Sequence, residues 1–304
     1  MTGTAACRIA LLPSEAQTKE VTVANPVFQN DPVFGDPRRR PAGQRTVVAQ
    51  PTADAAVLER MYAAPTATAR DTGRLTYDDV IVRTGGLLAL LAVVAAGTWY
   101  GTRAGIVPPG TWVIGMVAGL VLGLVNSFKR NPSPVLITLY TAAEGVFLGG
   151  ISLAFTALAV DGTSTGNAQP IVLQAVLATF ATFGAALWLY SSGKVRVTGK
   201  FVRWLLVAMV GYLVFQLVNV VLSYFMASDG FGPLRNGNWG LLVGVIAVGL
   251  AAASLIADFD SIKRGVVAGV PRKYAWTAAF GLVVTLVWLY LELLRIFAIL
   301  AGRR

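Results

Sequence analysis

The sequence contains no histidine and only one cysteine, Cys7, among its 304 residues. Without histidine the chain cannot build a Ser-His-Asp or Cys-His catalytic site, a His-Glu-x-x-His zinc site or a histidine-ligated haem. A single cysteine also excludes an intramolecular disulfide. The Gly-x-Gly-Asp motif of intramembrane aspartyl proteases is absent as well. We therefore predict that the protein is not an enzyme and needs no cofactor.

Charged residues are scarce too, at 13% of the chain against 55% hydrophobic residues, with a mean hydropathy of +0.65. An ordinary soluble domain has about a quarter charged residues. Much of the surface must therefore face lipid. In such a protein we interpret the net charge of +10 as a topology signal and not as a nucleic-acid-binding surface.

Seven apolar runs approach or exceed the length of about 20 residues that a membrane-spanning helix needs. They lie at roughly 82–101, 111–128, 135–160, 171–191, 204–226, 239–260 and 275–301. Thr76 and Asp79 have the form of a capping box that opens the first run. The sequence predicts an all-α bundle of seven transmembrane helices at 76–304. Residues 1–75, rich in Pro, Ala and Thr, are predicted to be a disordered cytoplasmic tail.

The basic residues that flank the predicted spans favour one side of the membrane. The loops after the first, third and fifth spans hold only Arg103 and Arg235, whereas the other loops hold ten. Because short cytoplasmic loops carry the excess of lysine and arginine, the N-terminus is predicted to be cytoplasmic and the C-terminus outside. The ten are Lys129, Arg130, Lys194, Arg196, Lys200, Arg203, Lys263, Arg264, Arg272 and Lys273.

Glycines recur at four-residue spacing on three of the predicted spans. Such faces let helix backbones approach closely in lipid, so they predict a tightly packed bundle. The glycines are Gly115, Gly119 and Gly123, then Gly145 and Gly149, then Gly240 and Gly244.

Four carboxylates fall inside the predicted spans: Glu144, Asp258, Asp260 and Glu292. A charge at bilayer depth costs a few kcal/mol, so each carboxylate is a candidate functional group. Asp258 and Asp260 are two residues apart, which places them about 200° apart around a helix. Only one of the two can therefore readily face the bundle interior.

Three of these four acids also have a purely structural interpretation. Glu144 has no basic residue one turn away, and a protonated acid bonded to a neighbouring helix is as compatible with its position as a functional role. Asp260 has Arg264 four residues later and Glu292 has Arg295 three residues later. Both spacings are typical of ion pairs on one helix. Spacing alone leaves these alternatives open.

Three short motifs carry a resemblance to a known family: Phe128-Lys129-Arg130, Phe259-Asp260 and the segment Leu289-Tyr290-Leu291-Glu292-Leu293-Leu294-Arg295-Ile296-Phe297. On these motifs, the region from Thr76 to Ala301 resembles the Bax inhibitor family, the transmembrane Bax inhibitor motif proteins, in its bacterial form. The tail lies outside the resemblance. The family usually has Asp at the position of Glu292 and Asn at that of Arg295.

The resemblance implies a pH-sensitive Ca²⁺ leak channel or cation transporter of the bacterial inner membrane, with the last helix at the centre of the bundle. It implies a sensing carboxylate pair, Asp260 with Glu292, that would also bind Ca²⁺ transiently, and a basic latch, Lys129 or Arg130. Asp258 is an additional acid that could replace Asp260 in the pair. Two adjacent carboxylates share a proton when they cannot both ionise, and when ionised they offer oxygen ligands that suit Ca²⁺.

A second function, also suggested by the family, is that of a membrane-embedded regulator or partner of membrane proteases or stress machinery. The tail contains the similar segments Asn25-Pro26-Val27-Phe28 and Asp31-Pro32-Val33-Phe34, which would dock a protein partner. A chance repeat in a compositionally biased segment is the favoured explanation of this similarity. The expected partners are thus the lipid bilayer and a protein bound through the tail.

Overall fold

The structure is a computed structural model, and it describes residues 72–129, 131–159, 169–226, 232–235 and 237–301. In these ranges the chain forms seven long helices, each long and apolar enough to cross a membrane. They are α1 (Tyr77–Arg103), α2 (Thr111–Phe128), α3 (Pro134–Ala159), α4 (Gln169–Ser191), α5 (Gly199–Phe225), α6 (Gly237–Val267) and α7 (Ala275–Ala301). The predicted all-α seven-helix architecture is confirmed.

Local sequence sets where α1 begins. The Thr76 hydroxyl oxygen accepts a hydrogen bond from the Asp79 backbone N–H at 3.2 Å and donates one to the Asp79 carboxylate at 2.8 Å. Thr76 is thus the N-cap of α1, as the predicted capping box requires, and the Asp79 carboxylate bonds to the Thr76 hydroxyl. The predicted tail, with its two Pro-Val-Phe segments, lies outside the described residues except for 72–75.

The end of α6 lies seven residues beyond the predicted end of the span at Asp260. It ends where Gly269 adopts a left-handed conformation with φ of 64°. The Val270 N–H then bonds to the Gly265 carbonyl at 3.1 Å, and the Gly269 N–H bonds to the Val266 carbonyl at 3.1 Å. This pattern is a Schellman motif, which glycine favours because it has no Cβ. The extension places Lys263 and Arg264 on the helix and not in a loop.

The last helix, α7, occupies the centre of the bundle. In its most apolar stretch 72% of residues are buried, against 44% or less for each of the other six spans. It packs along α1, α3, α4 and α6, whereas α2 packs on α3 and α5 packs on α6. The predicted central position is confirmed, although four helices and not six make its extended contacts.

Glycines allow the close helix contacts that the sequence predicts. A Cβ atom on Gly149 of α3 would lie 2.4 Å from the Ala95 carbonyl oxygen of α1, and one on Gly115 of α2 would lie 2.8 Å from the Ala143 carbonyl oxygen of α3. Both distances are shorter than a carbon–oxygen contact, so only glycine fits at these crossings.

The segment before α1 is fastened to the turn before α7. The Leu75 N–H bonds to the Val270 carbonyl at 2.8 Å, and the Arg272 N–H bonds to the Gly73 carbonyl at 2.8 Å. The Arg272 side chain also pairs with Asp79 at 2.7 Å. The sequence predicts that ordered structure starts at Thr76. The structure has it start earlier, because Gly73 and Leu75 have backbone hydrogen-bond partners nearly 200 residues away.

Candidate ion-binding sites along the central helix

A buried cluster of charge surrounds Glu292 on α7. We call Glu292, Arg295, Arg235 and Tyr212 the Glu292 cluster. Arg295 lies one turn after Glu292, Arg235 comes from the segment just before α6, and Tyr212 comes from α5. The side chains of the three charged residues are at most 7% exposed. Three separate elements therefore meet at one carboxylate.

The Glu292 carboxylate accepts hydrogen bonds from all three neighbours. Nη2 of Arg235 lies 2.9 Å from Oε1 and 2.8 Å from Oε2 of Glu292, and 2.8 Å from the Tyr212 hydroxyl oxygen. The Tyr212 hydroxyl and Nη2 of Arg295 also donate to the carboxylate. The Arg235 guanidinium stands 5.7 Å from the centre of the Tyr212 ring. Glu292 is thus an ion-pair acceptor in this structure.

Glycines on α6 allow a close approach of the two backbone segments that carry Arg235 and Arg295. A Cβ atom on Gly244 would lie 2.7 Å from Cγ1 of Ile296 and 3.6 Å from Nη2 of Arg295. A Cβ atom on Gly240 would lie 2.0 Å from the Arg235 carbonyl oxygen. The glycine face of α6 therefore positions the cluster as well as the helix crossing.

The charges in the Glu292 cluster do not balance. Two guanidinium groups face one carboxylate, which leaves a formal charge of +1 in a buried site. In the part of the chain that the structure describes, Nε of Arg235 and Nε of Arg295 are buried and have no hydrogen-bond partner. Unpaired buried polar groups are uncommon because each loses its hydration without compensation.

A second site on α7 is formed by Asp258 and Thr285. The Thr285 hydroxyl donates to Oδ2 of Asp258 at 2.8 Å, so Asp258 faces α7 through a neutral partner. Asp260 points elsewhere: its carboxylate pairs with Arg264 at 3.0 Å and accepts from the Tyr190 hydroxyl at 3.2 Å. Of the two neighbouring aspartates, Asp258 is the one on the α7 side.

The expected pair of Asp260 and Glu292 is therefore not formed, and Asp258 does not replace Asp260 in it. Thr285 precedes Glu292 by seven residues, which is a rise of about 10 Å along an α-helix. Asp258, at the level of Thr285, is too far away to share a proton with Glu292. The ion pairs expected from spacing are present instead, Asp260 with Arg264 and Glu292 with Arg295. Whether the individual carboxylates sense protons or bind ions stays a prediction.

The expected latch also differs from the structure. Lys129 is exposed at the end of α2, and Asp260 takes its basic partner from its own helix. Arg130 lies outside the described residues. The segment after α2 contacts the turn before α7 instead, because Nζ of Lys273 donates to the Asn131 side-chain oxygen at 3.1 Å.

Glu144 faces α2 and not the central helix. A Cβ atom on Gly119 of α2 would lie 2.8 Å from Oε1 of Glu144, and the Tyr140 phenol is also beside the carboxylate. Glu144 is thus covered by the neighbouring helix, and its carboxylate has the Tyr140 phenol beside it. Its role stays open.

Sequence reasoning missed Arg235, Tyr212 and Thr285 as site residues. Arg235 was counted only as a loop charge, yet it is 5% exposed and points into the bundle. A signal for Tyr212 was present in α5. Tyr212, Gln216 and Asn219 follow one another at helical spacing in an otherwise apolar span, which indicates a polar face. That face turns towards the Glu292 cluster.

A cavity of about 470 Å³ lies between α1, α3, α4 and α7. Its lining is mostly aliphatic and aromatic, and a hydrogen bond of 2.7 Å between the Ser152 and Tyr290 hydroxyls joins α3 to α7 beside it. In the described residues, no three His, Cys, Asp or Glu side chains come together to hold a metal ion. The site chemistry is thus that of single carboxylates with neutral or basic neighbours.

Comparison with known proteins agrees with this architecture. No curated protein matches the chain. A family model described as Bax inhibitor 1 like matches residues 25–302. The match starts well before Thr76, so the expectation that the whole tail lies outside the resemblance is wrong. With seven apolar helices in the described residues, the last of them largely buried, and a family match over most of its length, the chain is a multi-pass membrane protein that belongs to the Bax inhibitor 1 like family.

Proposed function

We propose that the protein is a proton-sensitive cation leak pathway for Ca²⁺ in the bacterial inner membrane, with Asp258 as its ion-binding carboxylate. The observation that carries the proposal is the contact of Asp258 with Thr285 on the central helix. In the described residues no lysine or arginine pairs with Asp258, whereas Asp260 and Glu292 both have arginine partners. When Asp258 is ionised, a cation therefore has no basic side chain to displace from its carboxylate.

The chemistry of the Asp258 site suits a transient Ca²⁺ contact. Ca²⁺ accepts carboxylate, hydroxyl, carbonyl and water oxygens in flexible geometry. Asp258 and Thr285 supply the first two kinds of ligand, and water would complete the shell. Protons compete with Ca²⁺ for the same carboxylate oxygens, so we expect Ca²⁺ binding at Asp258 to weaken as the pH falls.

The basic residues support an orientation with the N-terminus in the cytosol. Ten of them flank one side, against Arg103 and Arg235 on the other. Arg235 is buried in the Glu292 cluster, so it does not act as a loop charge, and the bias becomes stronger. In this orientation Asp258 lies in the cytoplasmic half of the bundle and the Glu292 cluster lies in the outer half.

Calcium flux in proteoliposomes tests the proposal. Purified protein is reconstituted around a trapped Ca²⁺ indicator, and uptake is followed at a series of pH values. Asp258→Asn should lower the flux about tenfold, the effect of about 1.4 kcal/mol in the barrier, and should remove its pH dependence. Asp260→Asn is the matched control, because it makes the same change in a carboxylate that already has an arginine partner.

Two results would reject the proposal. Flux equal to that of empty vesicles at every pH would exclude a leak pathway. Flux that falls with Asp260→Asn and survives Asp258→Asn would exclude Asp258 as the ion-binding residue.

A further inference from the structure

We propose that the Glu292 cluster binds one small inorganic anion, of the size and charge of chloride, beside Arg235 and Arg295. This site is separate from the cation site at Asp258. The proposal rests on two observations, the charge imbalance of the cluster and the two arginine nitrogens that lack partners. It does not depend on the proposed leak activity.

The charge imbalance sets the charge of the ligand. Arg235, Arg295 and Glu292 together carry +1, and the side chains of all three are at least nine-tenths buried. Buried charge is costly unless it is paired and hydrogen-bonded. One monovalent anion would make the cluster neutral, whereas a divalent anion would leave it with the opposite imbalance.

The unpaired groups define where the anion would bind. Nε of each arginine is buried and lacks a hydrogen-bond partner among the described residues. Each N–H group is therefore free to donate a hydrogen bond to a bound anion. The carboxylate takes up Nη2 of both arginines, so the Nε groups remain for a second acceptor. The site is also close to the N-terminal end of α6, which starts at Gly237 and adds a partial positive charge.

The other described acids cannot supply the missing charge. Asp79 pairs with Arg272, and Asp260 pairs with Arg264. Asp258 contacts Thr285, about 10 Å along α7 from Glu292. Glu144 lies against Gly119 on α2, and Asp78 lies in the first turn of α1, near the turn before α7. The compensating charge must therefore come from a bound anion or from a carboxylate outside the described residues.

Thermal unfolding in two sodium salts tests the proposal. The full chain in detergent is heated in sodium chloride or in sodium gluconate at equal ionic strength, and unfolding is followed by tryptophan fluorescence. Gluconate has the same charge but is too large for a buried site. With chloride at about ten times its dissociation constant, the midpoint should rise by about 3–6 °C relative to gluconate.

Two variants locate the effect. Arg295→Gln makes the cluster neutral, so its midpoint should be the same in both salts. Arg203→Gln, which removes an exposed arginine from α5, should keep the full chloride effect. Binding of radioactive chloride to the purified protein provides a direct measurement that does not depend on how stable the Arg295 variant is.

Equal midpoints in the two salts for the unaltered protein, together with no chloride binding, would overturn the proposal. In that case Asp229, the acid six residues before Arg235 in the sequence, would be the alternative source of charge. Asp229→Asn would then create a chloride effect that the unaltered protein lacks. A chloride effect that persists in Arg295→Gln would also overturn the proposal, because it would place the anion elsewhere.

Discussion

Removal of the Glu292 charge should destabilise the bundle strongly. Glu292→Gln keeps the size of the side chain and one acceptor oxygen but leaves Arg235 and Arg295 without a counter-charge. The cluster then carries +2 in place of +1, in a site where each arginine is about 5% exposed. Tyr212 also loses the charged acceptor for its hydroxyl.

The size of the effect follows from burial. Breaking a buried ion pair by removing one partner costs about 3–5 kcal/mol, because the remaining charge is desolvated and unpaired. We therefore expect Glu292→Gln to lower the free energy of unfolding by about 3–5 kcal/mol. Asp260→Asn is the matched control. Its partner Arg264 has a side chain that is 63% exposed, and an exposed pair contributes at most about 1 kcal/mol.

A double-mutant cycle separates the charge effect from packing. Arg295→Met alone removes one cation, and in combination with Glu292→Gln it returns the cluster to +1. The two changes should therefore be less costly together than the sum of the single effects, by about 2–3 kcal/mol. Unfolding is measured by titration with sodium dodecyl sulfate in mixed micelles, followed by tryptophan fluorescence. Gluconate is used as the anion throughout, so that no chloride compensates for the lost carboxylate.

The reasoning would be refuted if Glu292→Gln were no more destabilising than Asp260→Asn. That result would mean that the carboxyl group of Glu292 is uncharged in the folded protein or that water reaches the cluster. Strict additivity of Glu292→Gln and Arg295→Met would show that the two side chains do not interact.

Three further changes should follow from packing and hydrogen bonding, all measured by the same unfolding titration. Gly149→Ala should lower the free energy of unfolding by about 1–3 kcal/mol, because the new methyl group meets a backbone carbonyl of α1. Gly184→Ala is the control: nothing lies within 4 Å of the new atom, so the change should be neutral or stabilising by up to about 1 kcal/mol. Equal effects of the two changes would contradict the close packing of α3 on α1. Tyr290→Phe should cost about 1 kcal/mol by removing a buried hydrogen bond, and no loss would mean that water replaces it. Asp79→Ala should lower the free energy of unfolding by more than the roughly 1 kcal/mol that an exposed ion pair contributes, since this carboxylate is 6% exposed and binds both Thr76 and Arg272. A smaller loss would show that the contact between the start of α1 and the turn before α7 contributes little to stability.

The helices could be predicted from the sequence because the signals that define them are local. A run of about 20 apolar residues is needed to span the bilayer, and the N-cap hydrogen bond between Thr76 and Asp79 lies within four residues of chain. The glycine faces could also be predicted, since small residues at four-residue spacing lie on one side of a helix. Ion pairs three or four residues apart, such as Asp260 with Arg264, belong to the same class of local signal.

The partners of the site residues could not be predicted in the same way. Arg235 and Glu292 are 57 residues apart, and their contact depends on how the segment before α6 turns into the bundle. The choice between Asp258 and Asp260 depends on the rotation of α6 about its axis, which the spacing of two acids does not define. The family motif suggested the pair of Asp260 with Glu292, but Asp260 pairs with Arg264 on its own helix. The acid of α6 that does face α7 is Asp258, and its partner Thr285 lies about 10 Å along α7 from Glu292.

The central position of α7 has a consequence for biosynthesis. A ribosome makes the chain from its N-terminus, so the six outer helices reach the membrane before the helix that fills the space between them. Until α7 arrives, Asp258 lacks Thr285 and Arg235 lacks Glu292. Glu292 and Arg295 must in turn enter the bilayer on one helix, where each charge at the helix centre costs a few kcal/mol. Assembly of the bundle therefore ends with the insertion of a helix that carries two charges meant for the bundle interior, and that step is where failed copies should accumulate.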